Sequence, residues 1–474
     1  MEHVAAPVGA TGLNAEPANT SMENHPHWLE PLAPCAESPV QHIEPGSGEL
    51  CIETPLHNPI LAAKNEIDTI APVGQWDDAK KITNPFEYIF LSLQRRQHRS
   101  IAAIAPLSRS YFKMIELWHI LGLGGDDKPR TFMTSHTAEG PGGFLEAIQD
   151  CTGHQTPMIA MTLRSTERTV PGWRKSHAFL MQHPAVKILY GPDDTGNLYH
   201  LCNQDTLAAP GPFADIYTAD GGFDFSTDYN GQENLVHRLL AAEIYAGLRT
   251  LKVGAYSTMI IKVFDTKNRA TLELIWMLST CFDRAGFVKP NTSRPANSER
   301  YWVGRGYRDP PAWILDLLRR LTATEAPQGW NHIFADPPPW SESWLEGVRA
   351  FQTELEHEQL KKIQLTLNLI KATTRDQIRD LLLTNIRNSR TWCQTYGIPL
   401  NERYAGLSDD AVTSQNLEEA LVPFQASVAR TDLQGSFRQS QTPRALIVRP
   451  PLQPPTGGAW KSALPPSVLG RGAS

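Results

Sequence analysis

Thr131-Phe132-Met133-Thr134-Ser135-His136-Thr137-Ala138-Glu139-Gly140-Pro141-Gly142-Gly143-Phe144 runs from a β-favouring segment into a glycine-rich turn, and residues 143–149 then take up a helical pattern. Glycines at such a junction let backbone approach a ligand closely and leave the N-terminus of the following helix free for polar groups. In open α/β sheets this is where ligands bind, at the carboxyl ends of the strands. Alone the turn is weak evidence, because ordinary tight turns share its glycines. No Lys-Ser or Lys-Thr follows it, as a phosphate-cradling P-loop requires, and G-x-G-x-x-G is absent.

Outward from the turn, strand and helix signals alternate. Residues 131–137, 158–163, 186–190, 215–219, 258–264 and 301–304 are expected strands. Residues 234–251 read as a long helix with Leu235, Leu239, Ile244 and Leu248 on one face, and 271–284 as a helix closed by Gly286. Upstream, Phe86, Ile89, Phe90 and Leu93 recur at helical spacing, and a second helical run covers 110–121. Regular alternation predicts an α/β fold, a doubly wound, Rossmann-like parallel sheet with helices on both faces.

The remaining chain divides by composition. Residues 1–80 are rich in Pro, Ala, Asn and Glu without sustained apolar periodicity, which predicts a disordered or loosely packed arm before a domain at 81–310. Residues 311–400 turn purely helical, an expected appendage. Residues 401–474 read as a low-complexity basic tail: from Gln434 onward five residues are basic and none acidic, so it is either an RNA contact or a solvated linker. No apolar run reaches the roughly 18 residues of a spanning helix. The six cysteines lack C-x-x-C spacing, so the expectation is an intracellular protein without structural zinc or membrane attachment. A net charge of −6 supplies no global attraction for nucleic acid, and any RNA contact must come from a local basic surface.

Charged residues stand at several strand ends. Asp220 follows the strand at 215–219 and precedes Gly221-Gly222; Lys262 interrupts Ile260-Ile261-Lys262-Val263-Phe264; Glu299 precedes the last strand; Lys113 lies on the helix before the sheet. Singly each has an ordinary reading: a snorkelling lysine, an aspartate in a turn, a surface helix charge. Together they are expected to converge above the sheet's carboxyl edge.

With these residues in place the sequence resembles the RrmJ/FtsJ-like family of RNA 2′-O-methyltransferases, particularly the cap ribose methyltransferases of eukaryotes and large DNA viruses. The resemblance covers roughly residues 86–310. It rests on Ser108-Arg109-Ser110-Tyr111-Phe112-Lys113, Glu139-Gly140-Pro141-Gly142-Gly143-Phe144, Thr218-Ala219-Asp220-Gly221-Gly222-Phe223-Asp224, Ile260-Ile261-Lys262-Val263-Phe264 and Ser293-Arg294-Pro295-Ala296-Asn297-Ser298-Glu299-Arg300-Tyr301. It implies a class I methyltransferase fold and a Lys-Asp-Lys-Glu catalytic tetrad, matched by Lys113, Asp220, Lys262 and Glu299. It also implies S-adenosylmethionine as cofactor, bound around Glu139, Gly140, Pro141, Gly142, Gly143, Phe144, Asp220 and an acidic residue near the adenine, matched by Asp205. RNA, 5′-capped in the family's usage, is the implied partner, and no metal is required. Capped and internal RNA both remain open as targets, as does a silent RNA-binding subunit, although neither lysine of the tetrad is lost.

The chemistry agrees. A ribose hydroxyl is a poor nucleophile at neutral pH and needs a group to take its proton as it attacks a sulfonium methyl. Lys262 is the candidate base, its pKa expected to be lowered by burial and by Lys113 and moderated by Asp220 and Glu299. One departure concerns the strand at 158–163, which ends in Thr162-Leu163-Arg164 without the carboxylate many methyltransferases place on the cofactor ribose; Arg164, Asp193 and Asp194 are the candidate substitutes. Trp173, Tyr229 and Trp302 read equally as base-stacking residues or as core. Asp336-Pro337-Pro338-Pro339-Trp340 imitates the Asp-Pro-Pro-Trp motif of amino-group methyltransferases, but it lies beyond the sheet and reads as a proline-rich loop.

Overall fold

The computed structural model describes residues 24–70, 74–91, 99–153, 156–167, 170–222 and 231–429. Strands β1 (His27–Trp28) and β2 (Gln41–Pro45) and helices α1 (His57–Ile70) and α2 (Gln75–Thr83) precede α3 (Ser110–Ile120). The alternating region comprises β3 (Thr134–Thr137), α4 (Gly143–Thr152), β4 (Met158–Met161), α5 (His177–Gln182), β5 (Val186–Leu189), α6 (Leu201–Ala208) and β6 (Ile216–Ala219). It continues through α7 (Gln232–Leu235), α8 (His237–Thr250), β7 (Gly254–Val263), α9 (Arg269–Ser279), β8 (Phe282–Val288) and β9 (Arg300–Tyr307). After it come α10 (Ala312–Ala323), β10 (Trp330–Phe334), α11 (Glu342–Lys371), α12 (Arg375–Thr395), α13 (Glu402–Ala405) and α14 (Asp409–Leu421).

The main sheet has the order β1-β8-β9-β7-β6-β3-β4-β5. Strands β3 to β7 are parallel, as the alternation predicts, while β9 runs antiparallel between β7 and β8. The chain winds outward from β3 through β4 to β5, then returns to lay β6 on the other side of β3. That reversal makes the carboxyl ends of β3 and β6 the switch point of the sheet. Strands buried on both faces read as continuous apolar runs. In β7, Met259 and Ile261 pack with Tyr217 and Ala219 on one face, whereas Ile260 packs on the other with Phe112 and Met114 of α3. Lys262, two residues beyond Ile260, therefore leaves the sheet on the α3 side.

Three expectations are corrected. The helix expected over 271–284 stops at Ser279, and Phe282–Val288 is instead a strand, held between β9 and β1 with Gly286 opposite Trp28. Residues 24–80 are not a loosely packed arm: β1 extends the main sheet, β2 pairs with β10, and α1 buries Ile60 and Ala63 where it packs along α11. Strands also do not end near residue 310, and α14 forms within the stretch read as tail. For the strands the cause is common: segments this short, paired with partners distant in sequence, leave no local period to read. Residues 1–23 and 430–474, including the basic stretch, lie outside the described residues.

Candidate active site

Strand register places the charged residues side by side. Ala219 pairs with Ile261 and Lys262 with Tyr301, so Asp220 just after β6, Lys262 near the end of β7 and Glu299 just before β9 meet at one edge. Lys113 reaches them from α3. Its Nζ lies 2.6 Å from Glu299 Oε1, while Lys262 Nζ is 3.2 Å from Asp220 Oδ1 and donates to the Asp220 carbonyl at 2.9 Å. The four residues expected to act together are thus assembled as two ion pairs, all largely buried.

Electrostatics at this edge favour the charged forms. Burial pushes the Glu299 carboxyl up, but Lys113, Lys262 and Lys289 together hold it well below the usual carboxylate range. For Lys262 burial acts downward, yet Asp220 and then Glu299 outweigh it and raise the ammonium above its ordinary value. This reverses the expectation of a lowered pKa: the carboxylates sit closer to Lys262 than the sequence alone could specify.

The glycine turn stands at the adjoining strand end. Gly142 has φ 104° and caps α4, a conformation that disfavours any side chain, and a Cβ on Gly140 would lie 2.6 Å from the carbonyl oxygen of Gly172. The segment carrying Gly172 and Trp173 folds over the turn, and Trp173 packs against Gly142. Next to it, at the ends of β4 and β5, a cavity of about 280 Å³ is lined by Leu163, Arg164, Gly172, Trp173, Arg174 and Tyr190. Trp173 is 9% exposed and its indole N–H has no partner among the described residues. Aromatic and apolar walls with an unmet donor suit an adenosine moiety, and the acidic groups of the neighbouring strand ends suit its cationic methionine part, so these residues fit S-adenosylmethionine.

Not every expected cofactor residue faces this space. Gly140 and Pro141 are half-buried at its margin, and Gly143 begins α4 beneath. Phe144 is completely buried and packs on Tyr301 at a centroid distance of 5.7 Å, so it supports the turn from inside the core. Glu139 turns inward, to the Thr218 hydroxyl and to His136 Nδ1 at 3.2 Å, and burial raises its carboxyl against the influence of His136. Asp205 is not brought to the edge. It pairs with Arg249 at 2.9 Å, and the end of α8 that carries Arg249 leads to the amino end of β6, opposite Asp220. In its place Arg164 and Asp194 form an ion pair beside the cavity, and Asp193 accepts from Thr195 and His200 close by. Trp302 is core, fully buried; Tyr229 lies outside the described residues.

Sequence reasoning left out the residues that hold the tetrad. Tyr301 donates to Asp220 Oδ1 at 2.9 Å and Ser293 to Glu299 Oε1 at 2.8 Å. Lys289 binds the carbonyls of Asn297 and Glu299, and burial pushes its ammonium down to about 7 despite the nearby Glu299 carboxylate. Ser293 and Tyr301 lie within stretches already singled out; Lys289 gave no signal.

A sequence model described as FtsJ-like methyltransferase matches residues 106–307, which span α3 to β9 and contain both ion pairs and the glycine turn. Residues 106–307 are an FtsJ-like methyltransferase domain. Relatives carry related names across the chain. The "Cap-specific mRNA (nucleoside-2'-O-)-methyltransferase 1" of Leishmania braziliensis is 25% identical over 377 residues, 73% of this chain and 87% of that protein. The proteins of the same name from Trypanosoma cruzi and Drosophila melanogaster are 33% and 30% identical, over 46% and 35% of this chain. This chain spans 58% of the former and 21% of the latter, against 87% of the Leishmania protein.

Proposed function

We propose that this chain transfers a methyl group from S-adenosylmethionine to the ribose 2′-hydroxyl of RNA, and that its target is the first transcribed nucleotide of capped mRNA. The observation that carries the chemistry is the pair of lysine–carboxylate contacts, Lys113–Glu299 and Lys262–Asp220, at the edge that also bears the glycine turn. When bound, the cofactor supplies the electrophilic methyl and a sulfonium charge that disfavours ammonium groups nearby. Lys262 takes the proton of the attacking hydroxyl as the O–CH₃ bond forms and the S–CH₃ bond breaks. Asp220 orients its Nζ, and Lys113, fixed by Glu299, offers a cation to the developing oxygen charge. The capped target is supported by the names of the relatives, including the Leishmania protein matched over most of its length.

The test is incubation with labelled S-adenosylmethionine and matched capped and uncapped RNAs, followed by nuclease digestion to locate the label. Label on the ribose of the cap-adjacent nucleotide is the expected result. Label confined to internal riboses overturns the capped target, and absence of transfer to any RNA overturns the activity.

A further inference from the structure

Glu116 sits one helical turn beyond Lys113 on α3, on the same face and with no exposed surface. It takes no part in the proton transfer described above. Its Oε2 accepts the backbone N–H of Asn291 at 2.6 Å, and its Oε1 accepts that of Thr292 at 2.9 Å and the indole N–H of Trp392 at 2.7 Å. Asn291 and Thr292 begin the segment that ends at Glu299, and the next residue, Ser293, bonds the Glu299 carboxylate directly. Helix α3 therefore grips this segment twice, through Glu116 at its start and through Lys113 at its end. Trp392 belongs to α12, outside the FtsJ-like domain, and packs edge-on to Phe112, the neighbour of Lys113, at 5.6 Å.

We propose that Glu116 is a positioning residue for the methyl transfer, fixing the Lys113–Glu299 contact, and that the C-terminal helical layer acts on the reaction through the Trp392–Glu116 hydrogen bond. The inference rests on the functional reading above and adds to it a dependence on residues beyond the domain. The physical reason is the cost of a buried carboxylate. Burial pushes Glu116 up to about 7 even though the Trp392 indole and the two backbone N–H groups favour its charged form. A group held at that expense in the core stays only where its acceptors are all used, and removing one donor loosens the rest. Hydrophobic packing alone would have joined α3 to α12 without a carboxylate at the junction.

Two variants test this. Trp392→Phe keeps the ring against Phe112 and deletes the donor; Glu116→Gln keeps the shape but sets an amide N–H₂ against one of the three donors. Both are purified as full-length chains, and kcat, KM for RNA, cofactor affinity and amide hydrogen exchange across residues 289–299 are measured against wild type. The expected result is faster exchange at Asn291 and Thr292, with kcat lowered about tenfold, as loss of a charge-assisted hydrogen bond allows, while KM and cofactor affinity move less than about twofold. Lower thermal stability with unchanged kcat per folded molecule would show a structural role only and overturn the proposal. Should the wild-type chain methylate no RNA, the functional reading fails on its own. Exchange at Asn291 and Thr292 then still reads the grip of Glu116, and unchanged exchange in both variants overturns that as well.

Discussion

Tyr301 donates its hydroxyl to Asp220 Oδ1 at 2.9 Å, and Lys262 faces that same oxygen at 3.2 Å. One carboxylate oxygen thus serves two neighbours from the adjacent strands β9 and β7, which register brings opposite each other at Lys262 and Tyr301. Tyr301→Phe keeps the buried ring on Phe144 and removes only the O–H. With Asp220 freer to rotate, Lys262 loses its fixed direction, and kcat is expected to fall about tenfold, the equivalent of one hydrogen bond to a charged group. Steady-state kinetics with the folded variant would check it, and an unchanged kcat removes Tyr301 from the site.

The pH dependence follows from the raised Lys262. A base must be neutral to accept a proton, and a lysine above its ordinary value is neutral in fewer than about one molecule in a thousand at pH 7. Since kcat/KM reports the free enzyme, it should climb about tenfold per pH unit from pH 7 to 9 without a plateau. The kcat profile reports the loaded enzyme, where the cofactor's sulfonium acts against the ammonium, so its inflection belongs at lower pH. A kcat/KM plateau below pH 8, or near-normal kcat in Lys262→Arg, would sink the assignment of Lys262 as base.

Three members of the tetrad were legible as charges at strand ends, and the resemblance to the family joined them to Lys113, which lies within α3. Asp220 closes an apolar strand, Lys262 interrupts one and Glu299 precedes one, so an argument about strand ends finds them without tertiary knowledge. What holds them was not legible. Glu116 looks like any helix glutamate until Trp392, 276 residues later, turns out to be its donor. The charge state of Lys262 was misjudged for a related reason: sequence gives the inventory of charges but not the distances, and those decide between burial and attraction. In the fold, β4 to β7 could be read from their apolar runs, whereas β3 is a buried strand of polar residues, Thr134–Thr137, and β1, with two residues, has no pattern at all.

Cofactor affinity separates Asp205 from Trp173 by place. Asp205 pairs with Arg249 toward the amino edge of the sheet, so Asp205→Asn should leave the dissociation constant within about twofold of wild type, as expected for loss of an exposed ion pair remote from the ligand. Trp173→Ala removes the aromatic wall beside Gly142 and should weaken binding at least about tenfold. Isothermal calorimetry with S-adenosylmethionine decides, and the reverse ordering would move the adenine site away from the cavity.

Ile60 gives the strongest contrast between the arm expected from composition and the structure. It is 4% exposed on α1, which packs along α11, and the neighbouring chain is tied to the FtsJ-like domain where Cys51 and Ile52 donate backbone hydrogen bonds to the Lys267 carbonyl. A loosely packed arm would tolerate any substitution there without effect on global unfolding. A core position does not: Ile60→Ala deletes buried methyl and methylene groups and leaves a cavity, at a typical cost of about 2–5 kcal/mol. The lower end applies if α1 shifts toward α11 to fill the gap, and the upper end if the ties at residues 51 and 52 hold it in place. Denaturant unfolding followed by tryptophan fluorescence reports this directly, because Trp344 lies fully buried within α11. A midpoint equal to wild type would mean that residues 24–80 fold apart from the rest of the chain, whereas a single transition shifted to lower denaturant places them in the same cooperative unit.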